Sequence, residues 1–223
     1  MRLNKMIAAI RRHFGQNGVF LMTLVALMAI RPFLREEGVD RTVTDLLFMS
    51  IFLSGIYSVR REQYRYWFAL LLGVVVIFAR LREYVSGTSL NEVLINTACL
   101  LFFLQALSSM ANYVWAKRNA VDGEVLAAAV TSYLLIGFVW AYLFELLEIA
   151  NPNSFRGSSP QLNQDDFFYY SFVTLGTLGY GDIVPISRPA RAMSILEALF
   201  GQLYLAVLIA RLVGGYMSPK SRA

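Results

Sequence analysis

Long stretches almost free of charged residues constrain the fold of this chain more than any other feature of its sequence. The 223 residues are 57% hydrophobic and only 16% charged, whereas a soluble domain carries about 45–50% apolar and about 25% charged residues. The apolar surplus is collected into blocks, as in membrane-spanning helices. A large soluble core would need polar faces on its helices, and most of these blocks lack them. The sequence therefore predicts an all-α membrane protein.

Six of the apolar blocks are candidate membrane spans. They run from about Gly18 to Leu34, Leu46 to Val59, Tyr66 to Ala79, Leu90 to Trp115, Val125 to Leu147 and Arg188 to Val213. A transmembrane helix needs roughly 17–25 residues, so the second and third blocks must borrow flanking residues. Lys and Arg are more numerous on the side of the N-terminus when alternate loops are compared, which predicts a multi-pass protein with cytoplasmic N- and C-termini.

Composition argues against several other classes of protein. The net charge is +5, but the basic residues form short clusters between apolar blocks rather than one stripe, so we expect no binding of nucleic acid. Cys99 is the single cysteine and can form no intrachain disulfide. An enzyme would need convergent His, Cys or paired carboxylates, and only Glu145 with Glu148 approaches such a pair. We expect neither an enzyme nor a cofactor.

The longest loop, about Glu148 to Ser187, contains a short apolar and aromatic segment. This segment runs from Asp165 to Thr174 and is too short to cross a membrane, which is typical of a re-entrant helix. Asp165 and Asp166 fall in its first turn, where carboxylates cap free N–H groups and complement the helix dipole.

The residues directly after this segment, Thr177 to Gly181, read Thr-Leu-Gly-Tyr-Gly. Irregular backbone at membrane depth is tolerated only where protein buries it or where it lines a watery path. An ion filter satisfies that condition if several copies aim their carbonyl oxygens at one axis and replace the hydration shell of the ion. Gly179 and Gly181 allow the alternating backbone that this needs. An ordinary turn is the alternative, and the half-helix before it favours the filter.

Residues 165–213, with the span before them, resemble the pore module of tetrameric potassium channels. With four further spans upstream, the chain is similar to six-helix channels of the bacterial kind. The resemblance implies a fourfold-symmetric homotetramer of this chain with three identical subunits, embedded in the lipids of the cell (inner) membrane and conducting K⁺ passively. A non-selective cation channel is the alternative, although its filter usually lacks one residue of the Gly-Tyr-Gly set.

The resemblance also implies roles for individual residues. K⁺ would bind at Thr177, Leu178, Gly179 and Tyr180, and Gly181 would complete the filter. Asp182 would hydrogen-bond behind the filter, and the aromatic residues Tyr169 and Tyr170 would form a cuff around it. Two positions depart from the family: Gly176 stands where a second Thr is usual, and Leu178 replaces Val or Ile. Neither change removes a coordinating oxygen, so we expect selectivity to survive.

Two residues of the last span invite functional interpretations. Glu197 lies about ten residues into the span, where an ionisable group is costly unless it is paired or wet. We expect it to bond hydroxyls of the pore helix or fifth span and to support the filter, unless it simply lies near the interface. Gly201 comes twenty residues after Gly181, an offset at which the family has a gating hinge. Close helix packing is the alternative reason for this glycine.

The fourth span argues against gating by voltage. A voltage sensor needs several Arg or Lys residues repeating within a span, and Leu90 to Trp115 contains none. We therefore predict two domains: residues 1–121 resemble a voltage-sensor domain without its charges, and residues 122–223 form the pore domain.

Overall fold

The structure is a computed structural model that describes residues 2–34, 39–59, 63–86, 92–117, 122–157, 159 and 161–217. The prediction of a mainly α-helical chain is confirmed for these residues. The helices are α1 Arg2–Ile30, α2 Val39–Val59, α3 Gln63–Ser86, α4 Glu92–Ala116, α5 Gly123–Ala150, α6 Gln164–Leu175 and α7 Arg188–Met217. A 3₁₀ turn, Arg31–Phe33, follows α1, and the two short strands are β1 Phe155–Arg156 and β2 Val184–Pro185.

Three of the described helices are long and apolar enough to cross a membrane by length and composition. They are α4, α5 and residues 188–211 of α7. Shorter apolar stretches occur at Asn17–Ile30, Leu46–Ser58 and Gln63–Ala79, and they overlap the first three predicted spans. Leu90, the start predicted for the fourth span, lies outside the described residues. Six spans therefore stay a prediction.

The chain divides into two compact units. The first comprises residues 1–90 and 105–132, and the second comprises residues 91–104 and 133–223. The domain boundary predicted after residue 121 follows four residues that lie outside the described ones, and this boundary stays a prediction.

The first unit is built on α1, α2 and α3, with α2 packed against both of the others. Phe20 of α1 and Ile51 of α2 are completely buried there. The hydroxyl groups of Thr23 and Ser54 lie 2.8 Å apart and join α1 to α2 by a hydrogen bond. Each hydroxyl group also lies within hydrogen-bonding distance of a carbonyl oxygen of its own helix, Phe20 for Thr23 and Ile51 for Ser54, so both polar groups are satisfied in this apolar interior.

The second unit has an aromatic core. Phe103 of α4 stacks on Phe138 and Tyr142 of α5, with ring centroids 5.1 and 5.6 Å apart. Phe168 and Phe172 of α6 meet the same Phe138 ring edge to face. Large rigid rings fill this interior at low cost in side-chain entropy, and they hold α6 firmly against α5.

A small antiparallel sheet closes the loop region of the second unit. Phe155 pairs with Pro185 and Arg156 pairs with Val184. The Phe155 ring is buried against Phe144, Phe167 and Tyr170. The segment after the candidate filter is therefore tied to the loop after α5 and to the aromatic core.

Candidate functional site

Helix α6 has a defined start. The Asn163 side chain accepts a hydrogen bond from the Asp166 amide at 3.1 Å, and the Asp166 carboxylate accepts one from the Asn163 amide at 2.9 Å. This reciprocal pair is a capping box. The sequence prediction assigned the cap to the acidic residues alone and missed Asn163, although Asn is among the best N-cap residues.

The end of α6 leads directly into the candidate filter. The amide groups of Gly176, Thr177 and Leu178 donate to carbonyl groups in the last turns of α6, at 3.0, 3.0 and 2.9 Å. A Cβ added at Gly176 would lie 3.0 Å from the Phe172 carbonyl oxygen. The glycine at this departure from the family pattern therefore lets the chain turn tightly out of the helix.

The backbone of the candidate filter alternates in conformation. Positive φ angles occur at Thr177 (57°), Gly179 (60°) and Gly181 (80°), so every second residue lies in the left-handed region. A side chain disfavours this region, and glycine enters it without the penalty. No atom lies within 4 Å of a Cβ added at either glycine, so it is the φ angle rather than space that requires glycine at these two positions.

Tyr169 and Tyr170, the two residues predicted to form the aromatic cuff, have different hydrogen-bond partners. The Tyr169 hydroxyl donates to the Asp182 carboxylate at 2.6 Å. This hydrogen bond raises the pKa of Tyr169 to about 12 and lowers the pKa of Asp182. Tyr170 is instead buried, and its hydroxyl shares a 2.6 Å hydrogen bond with Ser194 of α7.

The side chains of the candidate filter and of α7 are largely exposed within the single chain. Leu178 is 59% exposed and Tyr180 is 68% exposed. In the most apolar window of α7 only 11% of the residues are buried, against 78% in that of α5. Among the described side chains of α7, the large exposed apolar ones are Ile195, Leu196, Leu199, Phe200, Leu203, Val207, Ile209 and Val213.

Glu197 and Gly201, one turn apart on α7, both contact α6. The Glu197 carboxyl group is completely buried, and its Oε1 atom lies 2.5 Å from the Ser171 hydroxyl. A Cβ added at Gly201 would lie 2.9 Å from the Leu175 carbonyl oxygen and 2.8 Å from the Leu175 side chain. The sequence predicted a hydroxyl partner for Glu197 without identifying it, because the two residues are 26 positions apart.

A carboxylate in the last turn of α5, which the sequence analysis considered only as one half of a carboxylate pair, organises the turn after this helix. Glu148 accepts hydrogen bonds from the amides of Asn153 and Phe155 at 2.7 and 3.1 Å. Within the described ranges, no group of three or more His, Cys, Asp and Glu side chains could hold a metal ion.

The second half of the chain is similar to known proteins. Residues 128–216 match the family model described as "Ion channel". This segment is therefore similar to ion channels, and the match covers less than half of the chain.

Three relatives match parts of the chain. The chain is 36% identical to the inward rectifier potassium channel Kirbac3.1 of Paramagnetospirillum magnetotacticum over 44% of its length and 32% of that protein. It is 38% identical to two-pore potassium channel 4 of Arabidopsis thaliana, over 26% of this chain and 20% of that protein. It is 34% identical to the protein LctB of Bacillus caldotenax, over 36% of this chain and 62% of that protein.

Each match therefore spans less than two thirds of the relative. No solved structure matches the chain. Together with the apolar helices, these similarities support a membrane protein that contains a segment similar to potassium channels.

Proposed function

We propose that this chain is one subunit of a potassium-selective channel whose filter is formed by residues 177–181. The observation that carries the proposal is the alternation of positive φ angles at Thr177, Gly179 and Gly181, immediately after a twelve-residue helix that is too short to span a membrane. The similarity of residues 128–216 to ion channels supports it independently.

Conduction follows from the backbone of this segment. Carbonyl oxygens of Thr177, Leu178, Gly179 and Tyr180 would replace the water around a permeant K⁺ ion, and Gly181 would end the row. The N–H groups of residues 176–178 donate to carbonyl groups of α6, so these positive ends of the backbone dipoles are satisfied by the helix. Tyr169 and the β1–β2 pair hold Asp182 and the following segment in place.

One chain supplies only one side of such a filter, so the proposal includes a homotetramer with three further copies. The exposed apolar side chains of α7, with Leu178 and Tyr180, offer surfaces that neighbouring copies would cover. Membrane lipids would cover the remaining apolar helices.

The proposed setting is the cell (inner) membrane, with six spans and both termini cytoplasmic. Because α4 contains no Lys or Arg between Glu92 and Ala116, gating by charge movement in the fourth span is not part of the proposal.

Cysteine labelling tests the orientation of the chain in the membrane. The exposed loop residue Gln161 is changed to Cys in a chain that also carries Cys99→Ala. A membrane-impermeant maleimide should label this variant from outside intact cells, and exclusive labelling after lysis would contradict the orientation.

The function is tested by ion flux into proteoliposomes that contain the purified chain. We expect uptake of K⁺ that is blocked by Ba²⁺ and is much faster than uptake of Na⁺. Protein-free vesicles are the control. Equal rates for K⁺ and Na⁺ would replace the proposal by a non-selective cation channel, and the absence of any flux would overturn the proposed function.

A further inference from the structure

Glu197 is a buried acid in the middle of an apolar helix. It lies in the part of α7 that is long and apolar enough to cross a membrane, and none of its surface is exposed. Ionisable groups at such depth are rare and expensive, and they are usually paired or functional. Among the described residues, Ser171 is its hydrogen-bond partner, and the Oε2 atom has no partner.

Among the described residues, the titratable groups that interact with Glu197 come from both neighbouring helices. They are Tyr133 of α5 and Tyr170 of α6. Their hydroxyl groups bond elsewhere: Tyr133 donates to the Leu175 carbonyl at 3.3 Å, and Tyr170 bonds to Ser194. Neither of them is cationic, so they offer no charge to balance an ionised carboxylate.

The Ser171 hydroxyl lies between two acceptors. Its oxygen is 2.8 Å from the Gly137 carbonyl oxygen of α5 and 2.5 Å from Oε1 of Glu197. A serine hydroxyl has a single hydrogen to donate, while a carbonyl and an ionised carboxylate can only accept. Both contacts are hydrogen bonds only when Ser171 donates to Gly137 and Glu197 donates its own proton to Ser171. If Glu197 were ionised, one of the two contacts would have no hydrogen between its oxygen atoms, and the lone pairs of the two acceptors would face each other.

The unpaired Oε2 atom leads to the same conclusion. In a neutral acid this atom is a carbonyl oxygen, whose burial without a partner costs far less than the burial of an unpaired charge. The site is also closely packed, since a Cβ added at Gly137 would lie 2.6 Å from the Phe172 ring. A carboxylic acid kept neutral by apolar surroundings can serve as a hydrogen-bond donor.

We propose that Glu197 is a neutral positioning residue that donates its proton to Ser171 and so joins α7 to α6 and, through Gly137, to α5. The next turn of the same two helices holds the close contact between Gly201 and Leu175. Two successive turns of α7 are therefore fixed to the helix that ends at the filter. A displacement of α7 would therefore be transmitted through α6 to Thr177 and would change conduction. This effect on conduction rests on the proposed function, in which Thr177 belongs to the filter.

Variants of Glu197 separate the neutral acid from a carboxylate. Glu197→Gln keeps the shape and the donor, so its K⁺ flux and K⁺/Na⁺ preference should stay within about twofold of the wild type. Glu197→Leu keeps the volume but removes the donor, and the K⁺/Na⁺ preference or the flux should fall about tenfold. Ser171→Ala should have the same effect, and the double variant should be no worse than the more impaired single variant.

Two outcomes of the flux experiment would overturn the proposal. A loss in Glu197→Gln equal to that in Glu197→Leu would show that the negative charge is needed. Wild-type flux and preference in Glu197→Leu would show that the side chain positions nothing.

Infrared spectroscopy tests the protonation without conduction, and also if Glu197→Leu fails to assemble. The difference spectrum between wild type and Glu197→Gln at about pH 8, far above the ordinary pKa of Glu near 4.3, should contain the carbonyl band of a protonated carboxyl group. A carboxylate band in its place would overturn the proposal even if the channel conducts. A wild type that carries no K⁺ but shows the protonated band would instead overturn the proposed function alone.

Discussion

Thr177 is the residue of the candidate filter with the least favourable backbone. Its φ angle of 57° is a genuine outlier for a β-branched side chain, and strain of this kind costs on the order of 1–3 kcal/mol. The hydrogen bonds from residues 176–178 to α6 hold the strained residue in place. Strained residues of this kind cluster at functional sites, which agrees with the placement of the filter here.

Gly181→Ala should impair conduction because of its φ angle. At φ 80° an alanine is disfavoured by about 1–2 kcal/mol in each copy, so the filter should distort and K⁺ flux should fall. The matched control is Gly214→Ala, which lies in helix α7 with open space around the added Cβ. That variant should be neutral or stabilised by about 0.5–1 kcal/mol. Equal flux through the two variants in proteoliposomes would contradict the role of Gly181.

Tyr169→Phe should weaken the support of Asp182 in a pH-dependent way. The pKa of Asp182 is lowered in the native pair, so the pair contributes stability at pH values above the ordinary Asp pKa near 3.9. This contribution is lost as pH falls through the lowered pKa. The raised pKa of Tyr169, about 12, keeps its phenol protonated, so the contribution persists up to about pH 10 and is lost towards pH 12. Flux at about pH 4–5 should therefore decline more in the variant than in the wild type.

The control for this experiment is Tyr64→Phe, because Tyr64 is 85% exposed on α3. Its flux should follow the wild type at every pH. The interpretation of the Tyr169–Asp182 pair would be wrong if Tyr169→Phe had the same acid profile as Tyr64→Phe.

At the scale of elements, α7 meets the end of α6 at a glycine. The sequence left two reasons for Gly201 open, a hinge and close packing. The 2.9 Å separation between an added Cβ and the Leu175 carbonyl oxygen favours close packing, because a backbone atom cannot move aside as a flexible side chain can. Bending at this position is compatible with the contact and stays a prediction.

Gly201→Ala should lower the thermal stability of the assembly. Overpacking of this kind costs about 1–3 kcal/mol, and α7 should move away from the start of the filter. The melting temperature in detergent and the K⁺/Na⁺ preference measure the two effects, with Gly214→Ala on the same helix as the control. Unchanged stability together with an altered open probability would instead favour a pure hinge.

Helix α6 illustrates what local sequence predicts well. Its length and approximate position follow from the short apolar run between Asp165 and Thr174, and the structure extends it by only one residue at each end. The N-cap residue was harder to predict, because Asn163 lies just before the apolar run and the acidic residues Asp165 and Asp166 were alternative caps. The strands β1 and β2 were not predicted, since two residues each carry no periodic pattern.

At the scale of the whole molecule, the exposure of α7 is the main indication of assembly. A helix with an 11% buried apolar window and exposed filter residues is incompletely covered within one chain. We expect native mass spectrometry in detergent to give about 101 kDa, four times the chain mass of 25.2 kDa. A species that stays at the mass of one or two chains while K⁺ flux persists would contradict the tetramer.

The apolar blocks, the half-helix and the need for glycine at the left-handed positions 179 and 181 could be predicted from the sequence by itself. Each depends on the hydrophobicity or backbone freedom of residues that are adjacent in the chain. The tertiary structure alone decided that Tyr169 meets Asp182 while Tyr170 is buried, that Gly201 touches Leu175, and that Glu197 shares the hydroxyl of Ser171. These contacts join residues far apart in the chain, and they exist because close packing of α5, α6 and α7 brings particular atoms together.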